Sequence, residues 1–519
     1  MPFASSPLPC ELWPYSCELT LYSLHTPDPP CRYPPESDLF LSLESGLLLV
    51  LESGLTIMWK CLSKRKPARD ESDGKLVKGY EDNDHSESCL PSYLDLESSH
   101  SLPSYQQASF EPSKTVDRAA DIMEHEMQKE ELALKEMSSK IHQHPELAFN
   151  ERYAADVLTR FMHSRGWDVE RGICGLETAW RATFTHGKGG RVVGFNCEMD
   201  VNLIAEGGVA AALSVAAAMQ KTGTAGRVVL LGTPAEESGG GKIIMLKHGA
   251  YEGVDAMLMI HPGGGAPYKT DLISPMLAID SFLNRSLAYF AQIYSAHAAL
   301  APHEGINALD AAVLAYSNVN ALRQQIKPYE RVHGVIDSHD YATNVIPAYS
   351  KLKYGVRSAT LSELVQLKRR AIACMHAAAE ATGCQVVVHD TSPPHPELHH
   401  NEHLALEYTS TMQRRFGTSI KLALDVPGGA STDFGAVTYA MPGLHPAYEI
   451  YSEKGASNHT ADFTKYSDTD IAHQKTLEAA QGIALTAFRV LSDVDFAKAV
   501  NKEYREWSER HDETALRRR

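Results

Sequence analysis

Basic side chains and paired cysteines are both scarce in this sequence. Among its 519 residues, 49 are Lys or Arg and 65 are Asp or Glu, which gives a formal net charge of −16. A protein that binds nucleic acid must approach the phosphate backbone with cations. The sequence contains no stretch of basic residues interleaved with aromatic residues that could offset its net negative charge. We therefore exclude nucleic acid as a partner.

The nine cysteines are scattered and include no CxxC pair. An odd, scattered set in a long chain is typical of reduced thiols rather than of a disulfide framework. We therefore expect a cytoplasmic protein.

The sequence also lacks a phosphate-binding loop, although residues 232–243, GTPAEESGGGKI, partly imitate one. The pattern GxxxxGK[ST] would need Gly in place of Glu236 and Ser or Thr in place of Ile243. We exclude a nucleotide cradle at this point of the chain.

Residues 1–115 differ in composition from the rest. They begin with a Pro-dense stretch, and an apolar run at 39–59 then precedes the basic segment KCLSKRK, a pairing that resembles a membrane anchor. Glu44 and Glu52 lie inside the run, and each would cost about 2.5 kcal/mol or more near the bilayer centre. We therefore expect no membrane association. Residues 68–116 are rich in Ser, Glu, Asp and Pro, so we predict a disordered leader and linker.

Regular structure is predicted from about Val116. Apolar residues at helical spacing predict one helix that ends by Pro145 and a second that stops at Gly166. Apolar runs at 191–200, 227–237 and 255–263 are typical of buried parallel strands. The Ala-rich segment between the first two runs predicts the crossover helix of a βαβ unit, and hence an α/β domain over residues 116–280.

The middle of the chain, residues 281–392, has a different pattern. Its segments follow the order β-α-β-β-α-β, the split βαβ arrangement of a ferredoxin-like α+β domain. The α/β pattern resumes at 393–492, with a helix at 400–416 and a long helix from Asp470, and a charged tail follows at 493–519. The predicted fold is an α/β domain interrupted by an inserted ferredoxin-like domain.

Acidic and imidazole side chains follow the predicted parallel strands. Glu198 and Asp200 close the first strand, Glu236 and Glu237 the second, and His261 the third. An open α/β sheet places its site at the carboxyl ends of its strands. One carboxylate can bind a metal there while a second takes a proton from water. The pair at 236–237 could equally be a solvated helix start, so the residues alone leave both interpretations open.

A series of short motifs resembles peptidase family M20, in its aminoacylase-1-like amidohydrolase and dipeptidase branch. The motifs are IHQHPELAFNE (141–151), NCEMD (196–200), GTPAEESGGGK (232–242), MIHPG (259–263), HEGINALDAAV (303–313), NVIP (344–347), GGASTDFG (428–435) and SNHTADF (457–463). The resemblance spans about residues 118–492. It implies a metal-binding α/β catalytic domain with an inserted ferredoxin-like lid or dimerisation domain.

The resemblance also implies roles in the catalytic domain. Glu236 resembles the general base that activates water. Glu237, His261 and His459 resemble ligands of a divalent metal, zinc or manganese.

In the inserted domain, His297 resembles the histidine that stabilises the oxyanion, and Asn344 and Arg357 resemble the residues that hold the substrate's amide and carboxylate. The implied substrate is a small dipeptide or an N-acyl amino acid. The inserted domain could also pair two chains into a homodimer.

The sequence departs from the family after Asp200. In relatives, a short Gly-rich loop and a Cys-Gly-His-Asn motif that supplies metal ligands follow this Asp, whereas here Val201 and Asn202 follow at once. Cys197 cannot substitute, because it precedes Asp200 within the strand. Residues 283–296 are a second irregularity. Such changes are typical of a splicing or gene-prediction error, and they also fit a relative that binds no metal.

Two hypotheses follow. The chain is a metal-dependent hydrolase of amide bonds in dipeptides or N-acyl amino acids. Alternatively, it is an impaired relative that binds such ligands without hydrolysing them, because the metal loop is missing. Bound zinc or manganese would separate the two.

Overall fold

A computed structural model describes residues 114–237, 239–264, 295–338, 340–390, 393–424, 430–453, 456 and 458–511, together with the backbone at 272–273, 278–281 and 288–291. Residues 1–113 of the predicted leader, its apolar run at 39–59 and most of the irregular segment 283–296 lie outside the described residues, whereas the last two residues of the leader, 114 and 115, begin α1.

The described chain contains helices, strands and short 3-10 turns. The helices are α1 (Lys114–His142), α2 (Arg152–Ser164), α3 (Asn202–Thr222), α4 (Gly241–Lys247), α5 (Ala308–Leu322), α6 (Leu361–Thr382), α7 (Glu402–Phe416), α8 (Phe434–Ala440), α9 (Ala461–Tyr466), α10 (Asp470–Ser492) and α11 (Val494–Arg510). The strands are β1 (Asp168–Arg171), β2 (Trp180–His186), β3 (Arg191–Glu198), β4 (Gly226–Thr233), β5 (Ala256–Leu258), β6 (His261–Gly263), β7 (Leu272–Ile273), β8 (Ala278–Ser281), β9 (Ala288–Ala291), β10 (Arg331–Ile336), β11 (Tyr349–Ser358), β12 (Gln385–Val387), β13 (Lys421–Leu422), β14 (Gly443–Leu444) and β15 (Ala447–Glu449). The 3-10 turns are Ile173–Gly175, Pro302–Glu304 and Arg323–Gln325.

The main sheet has the strand order β1-β2-β4-β3-β5-β14. Its strands β4, β3, β5 and β14 are parallel, and β2 and β1 extend one edge in antiparallel pairing. Because α3 connects the neighbouring parallel strands β3 and β4, the predicted βαβ unit is confirmed. The sequence pattern did not predict the antiparallel edge strands.

The Ala-rich helix α3 forms the centre of the main core, against α1, α10 and β3. Within the described residues it is the one helix long and apolar enough to cross a membrane, and 94% of its apolar window is buried inside the protein. Each fully buried Leu, Ile or Val side chain contributes about 1.5–3 kcal/mol. The burial of α3 is that of a core helix.

The third predicted parallel strand, 255–263, is wrong as a single strand. The structure divides it into β5, in the main sheet, and β6, in a small sheet of order β13-β7-β15-β6. Both strands pair with the same returning segment, β5 with β14 and β6 with β15. The backbone N–H of Met259 also donates to the carbonyl of Leu444. Backbone pairing therefore continues across the break while the chain changes sheets.

The inserted domain has its own antiparallel sheet, of order β10-β11-β9-β12, with β8 also paired to β11. The elements run β9-α5-β10-β11-α6-β12, which confirms the ferredoxin-like arrangement. A separate core of buried side chains, drawn from residues 308–379, joins the two helices to the sheet. Within the described residues, the first strand of this β-α-β-β-α-β order is β9.

The C-terminal segment expected as a charged tail contains α11, which packs on the catalytic domain. Phe496, Val500 and Trp507 are buried on one face of this helix. Glu503 accepts hydrogen bonds from the backbone N–H groups of residues 402 and 403, at 2.6 and 3.1 Å. The charged residues that suggested a tail occupy the solvent face of an amphipathic helix.

Candidate active site

The turn between β4 and α4 carries Glu236 and Glu237. The residue before them, Ala235, has a φ of +56°, which is uncommon outside glycine. Its backbone N–H donates to the carboxylate of Glu151 at 3.2 Å, and that carboxylate also accepts the backbone N–H of Phe149 at 3.0 Å. Glu151 is fully buried, so hydrogen bonds to an internal acidic side chain hold the turn in shape.

The glycines after this turn permit a close approach of the backbone. Gly240 has a φ of +67°, and a Cβ added at Gly241 would lie 1.9 Å from the carbonyl oxygen of Pro234. Only glycine fits the second position without movement of the backbone. The Gly-rich stretch folds the start of α4 back against the end of β4, and Lys242 follows directly.

Lys242 lies in a cluster of three carboxylates. One oxygen from each of Glu198, Glu236 and Asp433 lies within 4.8 Å of the others. The fully buried ammonium of Lys242 is 2.6 Å from Glu198 Oε1 and 2.5 Å from Asp433 Oδ1. The backbone N–H of Lys242 donates to Asp433 Oδ2 at 2.9 Å. The cluster therefore joins the ends of β3 and β4 to the starts of α4 and α8.

Burial shifts the pKa values of these acids upward. It raises the pKa of Glu198 to about 7 and that of Asp200 to about 8. Burial, with the charge of Glu198, raises the pKa of Glu236 well above its usual range. Burial alone would lower the pKa of Lys242, but the charges of Asp433 and Glu198 raise it well above its usual value. The site thus holds one lysine that stays protonated, together with carboxyl groups that retain their protons readily.

The predicted ligands Glu237, His261 and His459 are a second group of donors by their chemistry, and two of them, Glu237 and His459, are in contact. His459 Nδ1 lies 3.5 Å from Glu237 Oε2. The side chain of Asn458 donates to the carbonyl of Pro262 at 2.9 Å, which ties the loop of His459 to the strand of His261. That these three residues share a metal site stays a prediction.

The chemistry of this second group fits a divalent metal. His261 Nδ1 contacts the carbonyl of Pro262 at 2.8 Å, so this nitrogen carries the proton and Nε2 keeps its lone pair, as a metal-ligating imidazole requires. Burial lowers the pKa of His261, which favours the neutral, ligating form. Two imidazoles and a carboxylate are a donor set that zinc accepts in catalytic sites.

The remaining predicted residues lie in the inserted domain. His297 pairs with Val345 in an isolated β-bridge, and the backbone N–H of Ala298 donates to the carbonyl of Asn344 at 2.9 Å. His297 Nδ1 accepts the backbone N–H of Leu300 at 3.1 Å, so its proton lies on Nε2. His297 and Asn344 are therefore neighbours, whereas Arg357 lies on β11, half-buried. Their proposed roles stay predictions.

The expected Cys-Gly-His-Asn loop has no counterpart where β3 leads into α3. Met199, Asp200 and Val201 alone join the two elements. Asn202 is buried and donates to Ser138 Oγ at 3.1 Å and to the carbonyl of Ser467 at 3.0 Å. These hydrogen bonds anchor the start of α3. Cys197 is fully buried in β3, and burial raises the pKa of its thiol, which disfavours the thiolate that a metal needs.

Three residues that shape the site were not predicted from the sequence: Lys242, Asp433 and Glu151. All three lie within motifs of the family resemblance. A charged residue inside a glycine-rich motif is a signal that could have found Lys242 and Asp433, whereas Glu151 ends a motif with several other polar residues. His445 is a fourth. It is buried 5.8 Å from the ring of His261, and nothing in its sequence context separates it from a structural histidine.

Comparisons with known proteins agree with this geometry. The profile of peptidase family M20/M25/M40 matches residues 204–477. A mouse Xaa-Arg dipeptidase is 37% identical over 71% of this chain and 88% of its own length. One of the subunits of an Escherichia coli p-aminobenzoyl-glutamate hydrolase is 24% identical over 72% of this chain and 92% of its own.

Among solved structures, a dinuclear metal-binding peptidase of the M20 family from Bacillus subtilis aligns with a TM-score of 0.52 and 16% identity, over 71% of this chain and 99% of its own. This likeness concerns the fold.

Proposed function

This chain belongs to peptidase family M20/M25/M40 and is a hydrolase of amide bonds, and from that premise we propose that its substrates are dipeptides, with N-acyl amino acids as a second class. The observation that carries the proposal is the placement of Glu236. This carboxyl group lies in a buried cluster, and Glu237, next in the chain, pairs with His459. A proton acceptor thus lies beside donors that suit a metal.

We propose that Glu237, His261 and His459 hold a divalent ion, zinc or manganese. When bound, the ion would polarise the scissile carbonyl and lower the pKa of water. Glu236 would take the proton of the attacking water and deliver it to the leaving amine. Its raised pKa suits a group that must hold that proton between the two steps.

The inserted domain would supply the remaining contacts. His297 carries its proton on Nε2, since Nδ1 accepts a backbone N–H, and Nε2 could donate to the developing oxyanion. The guanidinium of Arg357 suits the substrate carboxylate, because it can donate two parallel hydrogen bonds. The side chain of Asn344, exposed beside His297, would hold the substrate amide.

The relative named Xaa-Arg dipeptidase makes dipeptides with a C-terminal Arg the first substrates to test. The full chain, loaded with zinc or manganese, is assayed with Ala-Arg, Ala-Glu and an N-acyl amino acid. Glu236→Gln should lower turnover by about 100-fold or more, because general acid–base catalysis contributes about 10²–10⁴-fold, and metal content should stay constant.

The matched control is Glu177→Gln, an exposed carboxylate paired with Arg152, which should leave turnover unchanged. If the metal-loaded chain hydrolyses Ala-Arg equally well with Gln at position 236, the role of Glu236 is wrong.

One observation favours a second candidate function. The direct junction of β3 and α3 leaves no loop for further metal ligands. An impaired relative would bind dipeptides through Arg357 without hydrolysing them. Elemental analysis of the purified chain would then find no stoichiometric metal, and Arg357→Ala would abolish dipeptide binding.

We also propose a cytoplasmic location, supported by the scattered free cysteines, and a homodimer formed through the inserted domain. Its sheet exposes Val335, Tyr349 and Val387, apolar side chains that a partner could cover. Light scattering of the purified chain would give the oligomeric state.

A further inference from the structure

Lys242 places a buried ammonium where three carboxylates converge, and we propose that it is the permanent cation of this cluster. In this role it takes the place of a metal ion among Glu198, Glu236 and Asp433 and holds Glu236 in position. The positioning of Glu236 matters only if Glu236 is the catalytic base of the proposed function. That Lys242 is the cation of the cluster does not depend on that function.

The charges of the cluster require a cation. The side chains of Glu198, Lys242 and Asp433 are buried and that of Glu236 is half-buried, and an unpaired carboxylate in the interior is far less stable than in water. The ammonium of Lys242 contacts Glu198 and Asp433 directly, and the charge of Glu236 also raises the pKa of Lys242. A lysine between these groups neutralises one negative charge in every state of the protein, with or without bound metal.

The contacts of Lys242 also fix positions. Its ammonium reaches Glu198 at the end of β3, and its backbone N–H and its ammonium bind the two oxygens of Asp433, just before α8. Three distant parts of the chain therefore meet at one side chain. An oxygen of Glu236 lies within 4.8 Å of an oxygen of Glu198 and of Asp433, so Lys242 would position the candidate base through these two carboxylates.

The two groups of donors differ in chemistry, which supports a lysine as the cation of the first and a metal ion in the second. The Lys242 cluster offers carboxylates only, and an ammonium already occupies it. The group of Glu237, His261 and His459 offers imidazoles, and the tautomer of His261 leaves Nε2 available. A divalent ion would enter the second group, because in the first it would meet a fixed positive charge.

The test counts bound ions in the absence of substrate. Wild type, Lys242→Met, Lys242→Arg and Asp433→Asn are saturated with Mn²⁺, and bound manganese is measured by elemental analysis and by calorimetric titration. Lys242→Met should bind one more ion per chain than wild type, because Mn²⁺ at saturation displaces the protons that three carboxyl groups without a cation would otherwise retain. The Lys242→Met/Asp433→Asn double variant should lose that ion again. Lys242→Arg should keep the wild-type count.

A matched control is Lys368→Met, another buried lysine, which pairs with Asp390 in the inserted domain. It should gain no ion. If folded Lys242→Met binds the same number of ions as wild type, the proposal is overturned.

Asp433→Asn decides the matter if Lys242→Met fails to fold. The proposal expects the wild-type ion count, whereas loss of an ion would show that the acidic cluster is itself a metal site. Since no assay here uses turnover, an inactive Glu236 mechanism would leave this result intact.

Discussion

At the scale of single residues, Glu151 supports the turn that carries Glu236, although the two residues are far apart in sequence. It accepts the backbone N–H groups of Phe149 and Ala235 and the hydroxyl of Thr178. The N–H of Ala235 belongs to a residue with positive φ, a backbone conformation that costs free energy and persists only where its surroundings hold it. Glu151 is therefore a support for the turn that carries Glu236.

We expect Glu151→Ala to weaken this support. Alanine removes Oε1, the one oxygen that accepts both backbone N–H groups, so these buried donors lose their partner. Such a loss costs about 1–3 kcal/mol. Turnover should fall together with the free energy of unfolding, measured by urea denaturation.

Glu146→Ala is the matched control, because one oxygen of Glu146, Oε2, likewise accepts two backbone N–H groups, those of residues 153 and 154 at the start of α2. It should lower stability by a similar amount while turnover per folded molecule stays constant. Equal losses of turnover in the two variants would contradict a specific role for Glu151.

Residues next to the ends of strands could be located from the sequence, whereas those that act through a long-range contact could not. Glu236, Glu237 and His261 follow apolar runs, so their pattern alone placed them at one edge of the sheet. Asp433 reaches Lys242 across 191 positions of sequence. No local pattern encodes such a pairing, which depends on how α8 packs against α4.

At the scale of elements, helix α11 shows how a partly buried histidine can couple packing to pH. The ring of His399 stacks on Trp507 at 4.1 Å with an interplanar angle of 8°. Burial, with the nearby charges of His400, His511 and Arg510, lowers the pKa of His399 to about 3. The stack therefore requires the neutral imidazole.

We expect the stability contributed by this stack to fall in acid. The unfolded chain binds a proton at His399 below about pH 6.5, while the folded chain binds it only near pH 3. This stability is present above pH 6.5 and is lost as the pH falls from 6.5 towards 3. The loss approaches about 1.4 kcal/mol per pH unit.

His399→Phe is the informative variant, since phenylalanine keeps an aromatic ring against Trp507 and cannot be protonated. Urea unfolding at pH 7 and pH 5 should show a smaller loss of stability for the variant than for wild type. If both proteins lose the same amount, His399 does not control the acid response of α11.

The elements that sequence predicted best are those with a strong period. The buried helix α3 and the order of elements in the inserted domain followed from apolar spacing. The division of 255–263 into β5 and β6 did not, because the whole run is apolar and its break depends on pairing with β14 and β15. Over α11 the charged residues outnumber the buried ones, so the sequence predicts a charged tail where the structure has an amphipathic helix.

At the scale of the whole molecule, the inserted domain and the catalytic domain have separate hydrophobic cores. Residues 308–379 fill the first, and the main core draws its side chains from α1, α3, α7, α10 and the central strands. The resemblance to a family with a two-domain architecture predicted this division, although composition alone allowed two to four domains for a chain of this length.

Because the two domains have separate cores, we predict that each can unfold locally without the other. Leu364, on α6, and Leu404, on α7, are both fully buried, the first in the core of the inserted domain and the second in the main core. Truncation of a buried Leu to Ala costs about 2–5 kcal/mol. Leu364→Ala should therefore speed amide hydrogen exchange in α5 and α6 and leave α3 and α10 protected, while Leu404→Ala should do the reverse.

Mass spectrometry of exchanged peptides distinguishes this outcome from a single cooperative unit, in which each variant would speed exchange in both domains.

The number of bound metal ions gives a second readout. The candidate ligands Glu237, His261 and His459 all lie outside the inserted domain, so Leu364→Ala should retain whatever metal the wild-type chain binds. Loss of metal in that variant would mean that the ion site depends on the inserted domain, and the two cores would then have to be treated as one thermodynamic unit.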